Sequence, residues 1–345
     1  MPGELWRARA LTAAIAAVAT VVFMLAGLPL PLLLGPMLGC LAAALAGARL
    51  AGFGALNDFM RTFLGLAVGA SITPAVLGQI PSMAVSLMFV PAFIVVIGAV
   101  GYPLFRYGFG MDHATAWYGA MPGGLQDMVL FGEEAGGDAR ALSLIHATRV
   151  LAIVTVAPFL LSHYLSADLT APPGRPASGM DPWQIVVMVL TAFAGWRIAV
   201  RVGLFGASIL GPLILAAILT LAGVIQSRPP SEMIWAAQFF IGMAIGVKYT
   251  GITARELRVI VRAGLVYSAF LAGISLVFFE MVSLTGVAPA LDAFLAFLPG
   301  GQGEMVVIAI MMGADLAYVV SHHLLRIVIV ILLAPVVARM FRRRG

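Results

Sequence analysis

Long runs of apolar residues alternate with short polar stretches along most of the chain. Many runs approach the roughly 20 residues that a helix needs to cross a bilayer, and they lack the strict alternation of a membrane β-strand. Because lipid offers the backbone no hydrogen bonds, such runs are stable there as helices. The pattern predicts ten membrane helices, near residues 11–28, 30–48, 58–75, 83–105 and 139–163 in the first half of the chain and near 184–200, 204–224, 234–250, 259–282 and 316–340 in the second.

The amino-acid composition supports a membrane protein rather than a soluble one. Hydrophobic residues make up 62% of the 345 residues and charged residues 10%, against roughly 45–50% and about 25% in soluble proteins. So few charges cannot cover a water-facing surface. The formal net charge of +5 comes from basic residues near the ends of the apolar runs, which is typical of cytoplasmic loops and not of a nucleic-acid-binding face.

The two ends of the chain and its one cysteine narrow the location further. Arg7 and Arg9 precede the first apolar run, which has no convincing cleavage site, so we expect a retained first helix. The three arginines at 342–344 are expected to anchor the C-terminus on the cytoplasmic side. Cys40 stands alone, which leaves no disulfide framework and no thiolate metal site. The prediction is a multi-pass protein of the bacterial inner (plasma) membrane, with both termini cytoplasmic and with no metal or cofactor.

Two stretches, 122–158 and 299–335, match without gaps at a constant offset of 177 residues. The match pairs Pro122-Gly123-Gly124 with Pro299-Gly300-Gly301, Asp127 with Glu304, Asp138 with Asp315, His146 with His323, and Arg149 with Arg326. Apolar sequence produces chance matches, but not these polar residues and glycines in register. The sequence therefore predicts two copies of one membrane repeat, residues 1–164 and 184–345, joined by a Pro- and Gly-rich linker, 165–183.

The match extends upstream of the PGG motifs into glycine pairs with helical spacing. Gly65 and Gly69 correspond to Gly242 and Gly246 at the same offset, and Leu-Gly-Pro at 34–36 corresponds to 210–212 with a slip of one residue. Small residues four apart let membrane helices approach closely. We interpret the pairs as packing sites, with a role in lining a cavity as the alternative.

Basic residues change places between equivalent loops of the two halves. The loop after the first helix carries no charge in the first half but Arg197 and Arg201 in the second. The loop after the second helix instead carries Arg49 and Arg61 in the first half, against Arg228 beside Glu232 in the second. The loop after the third helix, 75–82, is uncharged in the first half, whereas its equivalent carries Lys248, Arg255, Arg258 and Arg262. The fourth helix is followed by Arg106 in the first half and by the uncharged stretch 283–290 in the second, so all four equivalent loops exchange their basic content. If basic loops are cytoplasmic, the two halves cross the membrane in opposite directions.

An inverted repeat needs an odd number of crossings in each half. Five helices satisfy this if each PGG stretch, at 112–134 and 290–312, enters and leaves the membrane on one side. An arm of about eleven residues reaches roughly half of a 30 Å hydrocarbon core. The predicted fold class is all-α integral membrane, about ten transmembrane helices in two inverted-topology repeats, each with a PGG-broken re-entrant hairpin. The alternative is that PGG only kinks a full crossing helix.

The PGG motifs and the carboxylates after them are the first candidate site. Proline followed by two glycines ends a helix, and the next helix presents an N-terminus with a partial positive charge that suits an anion. Pro122, Gly123, Gly124 and their copies Pro299, Gly300 and Gly301 are therefore candidate substrate-binding residues. Asp127 and Glu304 follow in the first turn, where a carboxylate either complements its own helix or handles a proton or cation.

Two histidine–arginine pairs form the second candidate site. His146 and Arg149, like His323 and Arg326, lie one helical turn apart and share a face. An arginine inside a membrane needs a carboxylate, a carbonyl or water, so each one either makes a structural contact or binds the charge of a substrate. Each histidine is either a structural hydrogen-bonding group or part of a proton relay. His322 has no counterpart, since Ile145 occupies that place.

The doubled pattern PGG-x-x-[DE]-M, followed each time by Asp, His and Arg, resembles the AbrB-duplication family of bacterial membrane proteins. The resemblance covers nearly the whole chain. Proteins of this family carry the labels of a regulator of gene expression and of an ammonia monooxygenase. Neither label follows from these residues, because no segment outside the membrane is long enough for a DNA-binding domain and the scattered histidines do not form a copper site.

The sequence therefore predicts a secondary transporter that moves a small anionic solute by alternating access, and not an enzyme. Its expected partners are the solute, a proton or sodium as coupling ion and the lipid bilayer, with no nucleic acid; a homo-oligomer fits the sequence as well as a monomer does. The alternative is a membrane sensor that regulates gene expression through a partner docked on 248–262. An integral membrane oxygenase comes third.

Overall fold

The computed structural model describes residues 2–78, 80–165 and 169–342, and this part of the chain is helical, without a β-strand. The helices of the first half are α1 (Pro2–Leu25), α2 (Pro31–Leu45), α3 (Ala55–Gly69), α4 (Pro74–Gly78), α5 (Ile80–Leu87), α6 (Phe89–Pro103), α7 (His113–Ala120), α8 (Leu125–Glu134) and α9 (Ala139–Leu165). Those of the second half are α10 (Pro182–Arg201), α11 (Ala207–Leu221), α12 (Ser231–Val247), α13 (Ala254–Glu256), α14 (Arg262–Thr285), α15 (Ala290–Phe297), α16 (Gln302–Met312) and α17 (Leu316–Arg342).

Among the described residues, six helical stretches are long and apolar enough to cross a membrane, which makes this a multi-pass membrane protein. They are Gly3–Leu25, Met83–Gly108, Ala139–His163, Pro182–Arg201, Ala254–Thr285 and Leu316–Ala338. The other predicted segments coincide with shorter helices: α2, α3 and α11 have 15 residues each and α12 has 17. At 1.5 Å per residue such helices reach about 22–26 Å, somewhat less than the roughly 30 Å hydrocarbon core.

The helix ends follow from local chemistry. Pro31 and Pro182 begin α2 and α10, at positions where a missing N–H costs nothing. Thr253 and Glu256 form a reciprocal capping box at the start of α13. The stretch 75–82, which the sequence suggested as a connecting loop, is largely helical because Pro74 and Pro81 each stand in the first turn of a short helix.

The chain divides into two compact units, and each takes segments from both halves of the sequence. The first compact unit comprises 1–79, 154–252 and 303–317, and the second comprises 80–153, 253–302 and 318–345. Residues 166–168 of the predicted linker and Arg343 and Arg344 of the predicted C-terminal anchor lie outside the described residues. The two contiguous repeats joined by a linker stay a prediction from the sequence.

Helices cross at glycines in the first compact unit. A Cβ added at Gly65 of α3 would collide with the carbonyl group of Ile209 in α11, and one added at Gly242 of α12 would collide with the carbonyl group of Leu33 in α2. The glycines therefore allow backbone-to-backbone contact, as small-residue spacing predicts.

The second compact unit has an aromatic core and contains both PGG motifs. Phe93 of α6 packs against Phe278 of α14 and Phe297 of α15, with ring centroids 5.1 and 5.4 Å away. Phe105 lies 4.8 Å from the buried Tyr267 ring. Phe297 is the last residue of α15, just before the second PGG motif.

Candidate functional site

Both PGG motifs interrupt a helix, as the sequence predicts. α7 ends at Ala120 and α8 begins at Leu125, with Met121 and Gly124 in extended conformations between them. In the second half α15 ends at Phe297, Leu298 is extended, and α16 begins at Gln302. Each interruption, which we call a break, leaves carbonyl oxygens that have no partner within the helix.

Arg149 bridges the carbonyl groups of the first break. Its Nη1 donates to the Met121 oxygen at 3.4 Å and its Nη2 to the Gly123 oxygen at 3.3 Å. The side chain is only 2% exposed. The planar guanidinium thus reaches across Pro122 to both sides of it, a geometry that a lysine ammonium does not match.

Arg326 makes the same contacts in the second break, 177 residues later. Its Nη1 donates to the Leu298 oxygen at 3.4 Å and its Nη2 to the Gly300 oxygen at 3.2 Å. The residue is 3% exposed, and its Nε has no hydrogen-bond acceptor in the described part of the chain. All four bonds, at 3.2–3.4 Å, are longer than the usual 2.9–3.0 Å.

The two histidines hold carbonyl groups one turn further back. His146 Nε2 donates to the Tyr118 oxygen at 3.1 Å, and His323 Nε2 to the Leu295 oxygen at 3.0 Å. Because a carbonyl oxygen only accepts, Nε2 carries the hydrogen in both rings. Each Nδ1 is buried with no partner among the residues that the structure describes.

Tyr267 is a site residue that the sequence reasoning missed. Its hydroxyl donates to the Ala120 oxygen at the end of α7, and the ring is fully buried. The charges of Arg149 and Arg326 both act on this hydroxyl group, and the two arginines act on each other. Val90 occupies the equivalent place in the first half, so no internal match marked the tyrosine.

The predicted carboxylates stand at helix starts. The Asp127 side chain turns back toward the N-terminus of its own helix. Its Oδ2 atom lies so close to Gly124 that a Cβ added there would collide with it. Glu304 is buried in the first turn of α16 and belongs to the first compact unit. A Cβ added at the preceding Gly303 would contact the side chains of Leu64 and Ile241. These two residues directly precede Gly65 and Gly242, so the start of α16 packs beside the glycine crossings.

Asp138 and Asp315 serve as helix caps. Asp138 Oδ1 accepts from the Ala141 N–H at 3.0 Å, and Asp315 Oδ1 accepts from the Ala317 N–H at 2.9 Å. Both bonds lie at the starts of the helices that carry the histidine–arginine pairs, α9 and α17. The aspartates therefore help to set where those helices begin.

His322 belongs to a small polar group of its own. Its Nδ1 lies 2.8 Å from the Tyr318 oxygen and its Nε2 lies 3.0 Å from Ser86 Oγ. Within the described ranges no three His, Cys, Asp or Glu side chains come together as a metal site would require.

The second compact unit thus brings together most of the predicted site. It contains both PGG motifs, both histidine–arginine pairs and Asp127, whereas Glu304 falls in the first compact unit. Each guanidinium donates to two carbonyl groups of its break. Such a group can bind an anion, provided that the anion competes with the carbonyl groups of the break.

Comparisons with known proteins find similarity over most of the chain. Residues 32–342 match the family model described as "Transition state regulatory protein AbrB". The Bacillus subtilis (strain 168) protein named "Uncharacterized protein YhjN" is 27% identical over 295 residues, which cover 79% of this chain and 75% of the relative. "Putative regulator AbrB" of Escherichia coli (strain K12) is 26% identical over 324 residues, covering 92% of this chain and 91% of the relative.

Proposed function

This chain belongs to the AbrB family, and from that premise we propose that it is a secondary transporter of a small anionic solute. The observation that carries the proposal is the pair of equivalent breaks, each bridged by a buried arginine. Helices interrupted within a membrane protein and repeated in two halves are the usual construction of such transporters.

We further propose that the two halves are inverted repeats of five crossings, each with a re-entrant hairpin at PGG, in the bacterial inner membrane with both termini cytoplasmic. The exchange of basic residues between equivalent loops supports the inversion. Equivalent glycine crossings, Gly65 on Ile209 and Gly242 on Leu33, support the repeat. The slip of one residue in these contacts is the same slip that the Leu-Gly-Pro match requires.

The proposed binding step is an exchange of acceptors at the arginines. A charge-assisted bond to an anionic oxygen is roughly twice as strong as a neutral one, whereas the carbonyl bonds of Arg149 and Arg326 are long. A bound anion therefore draws the guanidinium groups away from the PGG carbonyls. The released backbone can then reorient, which couples binding to a change of conformation.

Coupling to a proton or sodium is assigned to the carboxylates and histidines of the same segments. Asp127 and Glu304 stand at the starts of α8 and α16. His146 and His323 each keep a buried Nδ1 that can accept a proton. The proposal includes no enzymatic activity, cofactor or nucleic-acid partner.

The second candidate function is a membrane sensor that regulates gene expression through a partner. The name of the Escherichia coli relative and the description of the family favour it. A sensor of this kind could bind the same anion without moving it across the membrane. The docking surface proposed for its partner is 248–262.

A thermal-shift screen of detergent-purified protein tests the binding proposal. The panel contains carboxylates, amino acids and sulfonates, with and without sodium and across pH. A ligand that binds only the folded state adds about 2.7 kcal/mol to stability at a hundredfold excess over its Kd. The variant Arg149→Lys/Arg326→Lys keeps both charges but removes both forks, and it should lose the shift.

Arg140→Lys is the matched control, because Arg140 pairs with Glu256 at a partly exposed site away from the breaks. It should keep the shift. A ligand that shifts the double variant as much as the native protein would contradict the binding role. No ligand under any condition, together with recovery of a regulatory partner in a pull-down, would favour the sensor.

A further inference from the structure

A pocket of about 330 Å³ lies in the first compact unit, and none of its lining residues is among those assigned to transport. Its walls come from the end of α1, the start of α2, α12, the end of α16 and residues 169–171 of the linker. The volume falls at the lower end of the range for small-molecule sites. The walls are mostly apolar, with one buried polar side chain.

That polar side chain is Gln238 of α12. It is 2% exposed, and its Nε2 has no hydrogen-bond acceptor in the described ranges. A buried donor without an acceptor is unfavourable, because it has lost its hydrogen bonds to water. An amide held at this cost in the wall of a pocket indicates a ligand that carries an acceptor oxygen.

Leu30, another residue of the pocket wall, has a strained backbone. Its φ is 47° and its ψ 55°, the left-handed region, while its side chain is fully buried. The equivalent residue of the second half is Gly206, which adopts a similar conformation, with φ 58°. A glycine does so without the steric cost that a Cβ brings in this region. A leucine in this position indicates that its side chain is needed there, and strain of this kind concentrates at ligand sites.

The linker is fixed over the same region by hydrogen bonds. The Leu30 N–H donates to the Leu169 oxygen at 3.1 Å. Ser231 Oγ donates to the Gly174 oxygen at 2.7 Å, and Glu232 Oε2 accepts from the Ala177 N–H at 3.0 Å. These bonds hold the linker wall of the pocket against the starts of α2 and α12.

The neighbouring surface identifies the source of the ligand. Met24 of α1 lines the pocket and is half exposed, and the next residue, Leu25, is 85% exposed. Large apolar side chains exposed on a membrane-spanning helix face lipid tails. Trp235, also in the wall, stands near the start of α12, which suits the level of lipid headgroups and ester carbonyls.

We propose that this pocket binds the acyl chain of a membrane amphiphile, whose carbonyl or carboxylate oxygen accepts a hydrogen bond from Gln238 Nε2. The apolar walls contact the chain, and Gln238 fixes its polar end. This inference is independent of the proposed transport function, since none of the pocket residues belongs to the breaks.

Native mass spectrometry of delipidated, detergent-purified protein tests the proposal, with palmitic acid titrated in one arm and phosphatidylglycerol in the other. The native protein should bind one molecule saturably in at least one arm, and the arm identifies the source. Gln238→Leu removes the donor at similar size and should weaken binding about tenfold, the effect of losing one hydrogen bond to a charged or carbonyl oxygen.

Two further variants separate the pocket from general effects on folding. Ala171→Phe fills the pocket from the linker side without touching Gln238, and should also weaken binding. Gln184→Leu is the matched control, since Gln184 lies in α10 outside the pocket and hydrogen-bonds to the Val224 oxygen; it should bind like the native protein. Native-like binding by both Gln238→Leu and Ala171→Phe, or no saturable binding in either arm, would overturn the proposal.

Discussion

At the scale of single residues, the two arginines explain how a break in a helix is tolerated inside this protein. PGG frees carbonyl groups that lipid cannot satisfy, and Arg149 and Arg326 supply two donors each. The sequence predicted that each arginine needs a carboxylate, a carbonyl or water, and the carbonyl alternative describes these bonds. Which carbonyls they reach depends on how α9 and α17 pack, and residue spacing within a helix does not contain that information.

Replacing Arg326 by alanine should destabilise the protein. The Gly300 carbonyl group would lose its donor, whereas the Leu298 oxygen would keep the hydrogen bond from the Gly300 N–H at 2.9 Å. We expect the free energy of unfolding to fall by about 1–3 kcal/mol, measured by thermal or denaturant unfolding in detergent. Arg201→Ala, at an exposed helix end, should change it by less than about 0.5 kcal/mol; equal midpoints for the two variants would contradict the bridging role.

Replacing Tyr267 by phenylalanine tests the residue that the sequence reasoning missed. The ring would still pack against Phe105, but the Ala120 carbonyl would lose its donor. We expect a loss of about 1–3 kcal/mol in the free energy of unfolding. Tyr107→Phe, at a side chain that is 77% exposed, is the control. A native-like midpoint for Tyr267→Phe would show that this hydrogen bond contributes nothing.

At the scale of helices, glycine positions determine which elements can cross. Glycine spacing indicated close packing at Gly65 and Gly242, and both lie against the backbone of another helix. The partners, α11 and α2, could not be predicted from the glycines alone. A glycine pair creates a flat surface on its own helix, and the matching surface belongs to a distant part of the chain.

Adding one methyl group at either crossing should force the helices apart. Gly65→Ala and Gly242→Ala would each place a Cβ against a carbonyl group, and overpacking of this kind costs about 1–3 kcal/mol. Gly273→Ala is the control, because no atom lies within 4 Å of the added Cβ; it should be neutral or slightly stabilising. The comparison is made on thermal midpoints, and three equal values would show that the crossings tolerate a side chain.

At the scale of the whole molecule, the sequence described two consecutive halves, whereas the compact units combine segments of both. A repeat in sequence records which segments correspond and does not record which of them pack together. Equivalent contacts at both breaks nevertheless involve atoms at the same offset of 177 residues. The correspondence seen in the sequence therefore extends to individual hydrogen bonds.

Opposite orientation of the two halves predicts opposite labelling of equivalent sites. Ala46 and Ala222 follow the last residues of α2 and α11, and both are exposed. In a Cys40→Ala background, Ala222→Cys should react with a membrane-impermeant maleimide added outside intact spheroplasts. Ala46→Cys, beside Arg49, should react only after the membrane is opened. Labelling of both from one side would contradict inversion.

The most direct test of the central claim is counterflow in proteoliposomes, with the ligand found by thermal shift. Vesicles preloaded with unlabelled ligand and placed in a trace of labelled ligand should accumulate label transiently, whereas empty liposomes and the Arg149→Lys/Arg326→Lys variant should not. A ligand that binds the native protein and shows no counterflow above empty liposomes would contradict transport. That result would favour a sensor that binds the same anion.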